Sequence, residues 1–211
     1  MLNRTMTVEE AAMRNKNVIP KLIELGIDYD MVATEKIEPV LKENDISFED
    51  FQEMIGETNI YADLDKYKDY TKEELIKMIV TKIHPKELSL IEEIDNGFSK
   101  SIKKYYRECG EQLFVIYEIV LLIKAELVSH FSSEEEYEFK EALKNKDVDY
   151  ENLIAEHEKI IGLFDRIKVL THSYNLNLDI EEVKEIEAKM KELDIHSRRH
   201  IYIENEILFK M

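Results

Sequence analysis

Segments 129–140 and 199–210 carry one pattern of side chains twice: a His, a Glu four residues on, a second Glu two beyond that, and a closing Phe-Lys. In the first copy these are His130, Glu134, Glu136, Phe139 and Lys140; in the second they are His200, Glu204, Glu206, Phe209 and Lys210. A spacing of four places His and Glu on one helical face, one turn apart. A weaker echo precedes each copy, His84-Pro-Lys-Glu-Leu-Ser-Leu-Ile and His157-Glu-Lys-Ile-Ile-Gly-Leu-Phe. Each half therefore supplies a first helix bearing one His and a second bearing His-x-x-x-Glu, as two helical hairpins related by a pseudo-twofold axis would.

The punctuation of the chain agrees with helices throughout. Thr71-Lys-Glu-Glu74 is a capping box, and apolar residues follow at helical spacing: Ile76, Ile79, Ile83, Ile91, Ile94, Phe98, Ile102 and Tyr105. Pro85 should kink this run or break it, and Asn96-Gly97 is a second weak point. Further helices are expected over residues 112–143 and 150–172, and Asp179 is expected to cap a last one running to residue 211. Four such helices joined by short loops predict an all-α antiparallel four-helix bundle over residues 71–211. Residues 1–60 are shorter pieces: a capping box at Thr7–Glu10, a run from Val18 stopped by Gly26, and helices over 33–44 and 48–55, the second capped by Ser47. They read as a small helical N-terminal module, joined to the bundle by a linker over 61–70.

Composition removes several function classes. A net charge of -17 argues against nucleic acid and against anionic membrane surfaces. The longest apolar run, 113–123, contains Glu118 and is too short to span a bilayer. The first residues lack the basic region and apolar core of a signal peptide, and the single cysteine, Cys109, forms no internal disulfide; both point to the cytoplasm. Cys109 reads as a small buried apolar residue.

The residues that could carry chemistry are His84, His130, Glu134, His157, His200 and Glu204. Four imidazoles and two carboxylates projecting into a bundle core match the needs of a pair of first-row metal ions, since a carboxylate can bridge two cations and offset part of their charge. A single His-x-x-x-Glu pair is usually a solvated helix surface; two copies, each preceded by a suitably placed His, argue for metal. His172 and His196 have no counterpart in the other half: His172 closes a helix, where a cation is favoured, and His196, four residues before His200, is read as a surface residue with an outer partner to the site as the alternative. Glu135, Glu136 and Glu206 read as solvated.

These residues resemble the hemerythrin-like di-iron proteins, and more closely their iron–sulfur cluster repair (repair-of-iron-centres) branch, over nearly the whole chain. His130-Phe-Ser-Ser-Glu134-Glu135 is similar to the family's His-x-x-x-Glu-Glu segment, and His200-Ile-Tyr-Ile-Glu204-Asn205 to its His-x-x-x-Glu-Asn segment. The resemblance implies two non-haem iron ions, with Glu134 and Glu204 bridging and the four histidines completing the coordination; manganese or a mixed pair suits the same ligands. It implies repair of iron–sulfur clusters damaged by nitric oxide or oxidants, through iron delivery or nitric oxide removal. The rival function is oxygen or nitric oxide binding or sensing without turnover, and a second rival is a regulatory protein whose site no longer holds iron. The implied partners are a diatomic ligand, damaged iron–sulfur proteins and a second copy of the chain.

Two positions depart from the family pattern. Where the N-terminal module carries a Cys-Cys-Gly-Gly turn, this chain reads Asp30-Met-Val-Ala33. The family also places a further His about twenty residues after the first, where this chain has Tyr105 and Tyr106. Tyr105 continues the inward stripe and is expected to face the site, either as a phenolate ligand or as a packed aromatic.

Overall fold

Both threonine capping boxes form. Thr7 accepts from the Glu10 N–H (3.2 Å) while Glu10 accepts from the Thr7 N–H (2.8 Å), opening α1 (Val8–Arg14). Thr71 and Glu74 do the same for α6 (Lys72–Met78). The computed structural model describes residues 2–56, 60–61, 63–144 and 148–211. Among these residues there is no strand, and the chain divides into two compact units, Met1–Ala62 and Asp63–Met211.

The first unit adds α2 (Val18–Glu24), α3 (Tyr29–Val32), α4 (Ile37–Glu43) and α5 (Phe48–Met54). Gly26, at φ 76°, ends α2 in a paired-bond cap: its N–H reaches the Ile23 carbonyl (3.0 Å) and the Ile27 N–H reaches that of Leu22 (2.9 Å). The helix expected over 33–44 starts later, at Ile37, because the preceding backbone is already in use. The carbonyls of Glu35 and Ala33 accept from Val8 and Glu9, the first N–H groups of α1 (both 2.9 Å). Val8, Leu22, Ile37, Leu41 and Phe51 close the core of this unit.

The second unit is the bundle, an all-α antiparallel arrangement of four long helices: α7 (His84–Lys104), α8 (Glu111–Ser133), α10 (Glu151–Leu170) and α11 (Glu181–Glu206), with the short α9 (Phe139–Ala142) after α8. α7 packs against α8 and α11, and α10 against the same two, which closes the ring around one core. Ile91, Ile94, Phe98, Leu113, Ile116, Ile123, Phe164 and Met190 fill it. Leu64, in a short 3₁₀ turn (Leu64–Asp69) within the stretch read as linker, is buried, and Asp63 beside it accepts both arms of the Arg199 guanidinium (2.7 and 2.8 Å).

Pro85 does not end its helix. A single π-helical turn (Ile79–Ile83) lies immediately before it, with the His84 N–H bonded to the Ile79 carbonyl five residues back. The wider turn accommodates a residue that has no N–H to give and whose ring would crowd an ordinary α-turn. Gly97 does not interrupt α7 either: a Cβ there would lie 2.8 Å from Ile186 Cγ1, so its lack of a side chain lets α11 approach closely. Asp179 does not cap α11. Ile180 holds the cap position without a side-chain bond, and Asp179 pairs with Lys184 instead (2.6 Å).

Buried charge also ties α10 to α11. Arg198 donates to Asp194 (2.6 Å) and Asp165 (2.7 Å), and Lys168 lies 2.8 Å from the other Asp194 oxygen. Burial alone would raise the Asp194 carboxyl, but Arg198 and Lys168 together hold it below the usual carboxylate range. Asp194→Ala leaves two cationic side chains short of their shared anion, and should cost about 3–5 kcal/mol of stability in denaturant unfolding.

Candidate metal centre

Two π turns of the bundle frame one cluster. His84 is the first residue of α7, directly after the π turn; His130 lies in the last turn of α8; and Glu134 opens a second π turn (Glu134–Glu138) that continues α8. α10 contributes His157, and α11 contributes His200 and Glu204. All six side chains are buried. They form two groups, His84–Glu134–His200–Glu204 and His130–Glu134–His157–Glu204, and within each group the donor atoms lie within 4.8 Å of one another.

The two carboxylates belong to both groups and divide their oxygens between them. Glu134 presents Oε2 to His84 Nε2 (3.3 Å) and Oε1 to His130 Nε2 (3.5 Å). Glu204 presents Oε1 to His200 Nε2 (3.0 Å) and Oε2 to His157 Nε2 (3.2 Å). Among the described residues, both oxygens of each Glu and the Nε2 atoms of His84 and His200 have no hydrogen-bond partner. Six converging buried polar atoms without partners are costly unless a cation takes up their lone pairs. The donor set of imidazole and carboxylate fits first-row metal ions.

The outer faces of the rings explain which nitrogens point inward. His84 Nδ1 meets Glu135 (2.7 Å), His130 Nδ1 meets Glu156 (2.7 Å), and His157 Nδ1 meets the Asn205 carbonyl oxygen (2.9 Å). His200 Nδ1 faces Glu87 at 3.3 Å. Each acceptor is an oxygen, so each Nδ1 carries the proton and each Nε2 of a neutral ring offers a lone pair to the centre. The Nε2 atoms of His130 and His157 stand only 2.8 Å apart, an approach that a proton or a cation between the lone pairs must relieve.

Glu87 was missed in the sequence, and the outer role of His196 was the less favoured of its two readings. Glu87 is fully buried on α7, three residues after His84, and also accepts from Ser197 (2.9 Å) and meets His196 Nδ1 (3.0 Å). The signal was present: an acid at position 87 falls on the apolar stripe of Leu90, Ile91 and Ile94. His196 is half-buried against this carboxylate rather than on the open surface, and Glu135, read as solvated, holds His84. His172 is exposed just past the end of α10.

Tyr105 is a correction. It lies 21 residues after His84, about 30 Å along the helix axis at 1.5 Å per residue. Its ring packs on the far end of the core, and its hydroxyl donates to Glu182 (2.9 Å), at the opposite end of α11 from His200. The inward stripe was real, but a shared face does not bring together residues six turns apart. Tyr106 is exposed. Phenylalanines surround the cluster instead: Phe131 stacks on His84 (centroids 4.0 Å apart), and the repeated Phe139 and Phe209 stack near His84 (6.2 Å) and His157 (6.0 Å).

Residues 82–211, more than half of the chain, match the family model described as hemerythrin HHE cation-binding domain. Among curated proteins there is no match. The matched region contains all six inner donors and the four outer acceptors.

Burial and mutual charge shift the cluster's protons. Burial, reinforced by His200, pushes His84 down to about 4. Burial also opposes charge on His200, but Glu204 and Glu87 outweigh it and raise this ring well above the usual histidine range. Burial together with Glu204 raises Glu134 well above the usual carboxylate range. Without metal, His200 and Glu134 therefore hold protons that coordination must displace. Uptake of a divalent ion should acidify a weakly buffered solution, and affinity should climb about tenfold per pH unit for each proton released. A pH-indicator assay during metal titration reads both effects; uptake without proton release contradicts this assignment.

Proposed function

The chain belongs to the hemerythrin HHE cation-binding domain family, and from that membership we propose that it holds two iron ions in a non-haem, carboxylate-bridged centre and serves in iron–sulfur cluster repair under nitrosative or oxidative stress. The observation that carries the two-metal reading is the division of each carboxylate: one oxygen of Glu134 and one of Glu204 faces each histidine pair. His84 and His200 would hold one ion, and His130 and His157 the other, with manganese or a mixed pair compatible with the same donors. Bound iron supplies one-electron redox chemistry and affinity for diatomic ligands. The protein's own part is to fix the four rings through their Nδ1 partners, to keep water out with Phe131, Phe139 and Phe209, and to balance charge with two inner carboxylates.

Support for the repair role is the resemblance of both the bundle motifs and the N-terminal module to repair proteins. Without a cysteine pair in that module, the chemistry rests on the bundle centre alone. The apolar phenylalanine wall favours a second reading, reversible binding of oxygen or nitric oxide without turnover, because a small uncharged ligand crosses such a wall at little cost. Among the described residues no helix is long and apolar enough to cross a membrane. A cytoplasmic place is our separate proposal, supported by a single cysteine that suits a reducing compartment.

Metal analysis of freshly purified protein, with the optical spectrum before and after nitric oxide, tests the centre. About two ions per chain are expected, falling to near zero in Glu134→Ala, which removes a donor from both groups, and to about one in His84→Ala or His157→Ala. Reactivation of a nitric-oxide-damaged iron–sulfur enzyme by the iron-loaded chain tests repair. A loaded chain that binds nitric oxide and restores nothing leaves the binding reading in its place.

A further inference from the structure

We infer that the two metal positions are unequal, and that the one built on His84 and His200 fills first and holds its ion more tightly, because of the buried carboxylate of Glu87. The inference rests on the two-metal reading above. The inner donors cannot distinguish the positions: each has two imidazoles and one oxygen from each shared carboxylate. The outer acceptors can.

His84 and His200 both lean on carboxylates, Glu135 and Glu87. His130 leans on a carboxylate, Glu156, but His157 leans on the neutral amide of Asn205. An imidazole whose Nδ1–H is held by a carboxylate is the stronger donor through Nε2. Exposure sharpens the contrast. The side chains of Glu135 and Glu156 are 40% and 43% exposed, so water screens their charge, whereas Glu87 is 0% exposed and acts unscreened.

The internal repeat shows where the asymmetry arises. Glu135 and Asn205 occupy equivalent places, each directly after a shared Glu, and differ by one charge. Glu87 has Ile160 as its counterpart, three residues after His157, and Ile160 is a buried core residue. Ser197, which donates to Glu87, has the buried Leu127 as its counterpart. The polar pocket that holds Glu87 thus exists in one half of the bundle only, and the repeat departs from its twofold in the same direction at two sites.

The test is titration of metal-free, full-length protein with Co(II), followed by calorimetry and visible absorbance. Repulsion between two ions separates the steps by itself, so the variants decide. Glu87→Gln, which keeps an acceptor but removes the charge, should weaken the first step about 10–100-fold and spare the second. Glu156→Gln should weaken the second step. Asn205→Asp should tighten the second step and narrow the gap, a gain that a misfolded protein cannot give. The inference is overturned if two ions bind in the wild type with equal affinity, if Glu87→Gln weakens the second step instead, or if Asn205→Asp leaves the gap unchanged. Failure of the wild type to take up Co(II), or uptake of one ion only, would overturn the two-metal reading itself.

Discussion

Everything in the bundle answers to one cost: six donor atoms without hydrogen-bond partners brought together in an interior that excludes water. Two carboxylates and four imidazoles cannot lie there as free charges, and burial and mutual charge push the proton affinity of His84 down and those of His200 and Glu134 up. The cluster is tolerable because its members offset one another and because a cation can complete them. The helices are therefore held in a geometry that serves the donors. Without a cation, the same residues would be a liability that a simple apolar core would not carry.

That geometry is maintained from outside the cluster. Each ring is held through its Nδ1 by a residue on a neighbouring helix, so the orientation of the donors depends on helix packing. The packing has its own anchors: Gly97 admits Ile186 at close range, and Asp194 gathers Arg198 and Lys168 across α10 and α11. The repeated Phe of each His-x-x-x-Glu segment belongs to the same scheme. Phe139 covers His84 and Phe209 covers His157, each from a position five residues beyond a shared Glu.

The inner site was legible because it is written in local spacing. A His and Glu four apart declare a shared face, the internal echo pairs them, and Thr71–Glu74 marks where the bundle begins. Long-range facts were less legible. The stripe that links Phe98 to Tyr105 gives direction around a helix but carries no warning about distance along it, so Tyr105 was placed at a centre about 30 Å away. Glu87 was overlooked because it breaks the repeat that drew attention to the other residues. Asp179 has the right chemistry for a cap, but its carboxylate is taken by Lys184, a partner that propensity alone does not reveal. The late start of α4 has a similar cause, since its preceding carbonyls are claimed by α1.

The π turns at Ile79–Ile83 and Glu134–Glu138 give the bundle a property that its regular helices lack. Each is a place where the chain holds one residue more than an α-helix of the same rise. Removing that residue would let the backbone close to ordinary α geometry without breaking the helix or turning its flanks, because the wide turn absorbs the extra residue locally. On the first helix that turn lies immediately before His84; on the second it begins at Glu134. Chain length at these two points is thus a coordinate of the metal site. Substitutions nearby can be absorbed by repacking, but a one-residue deletion would leave a well-formed helix that presents different side chains at the turn, beside His84 in one case and at Glu134 itself in the other.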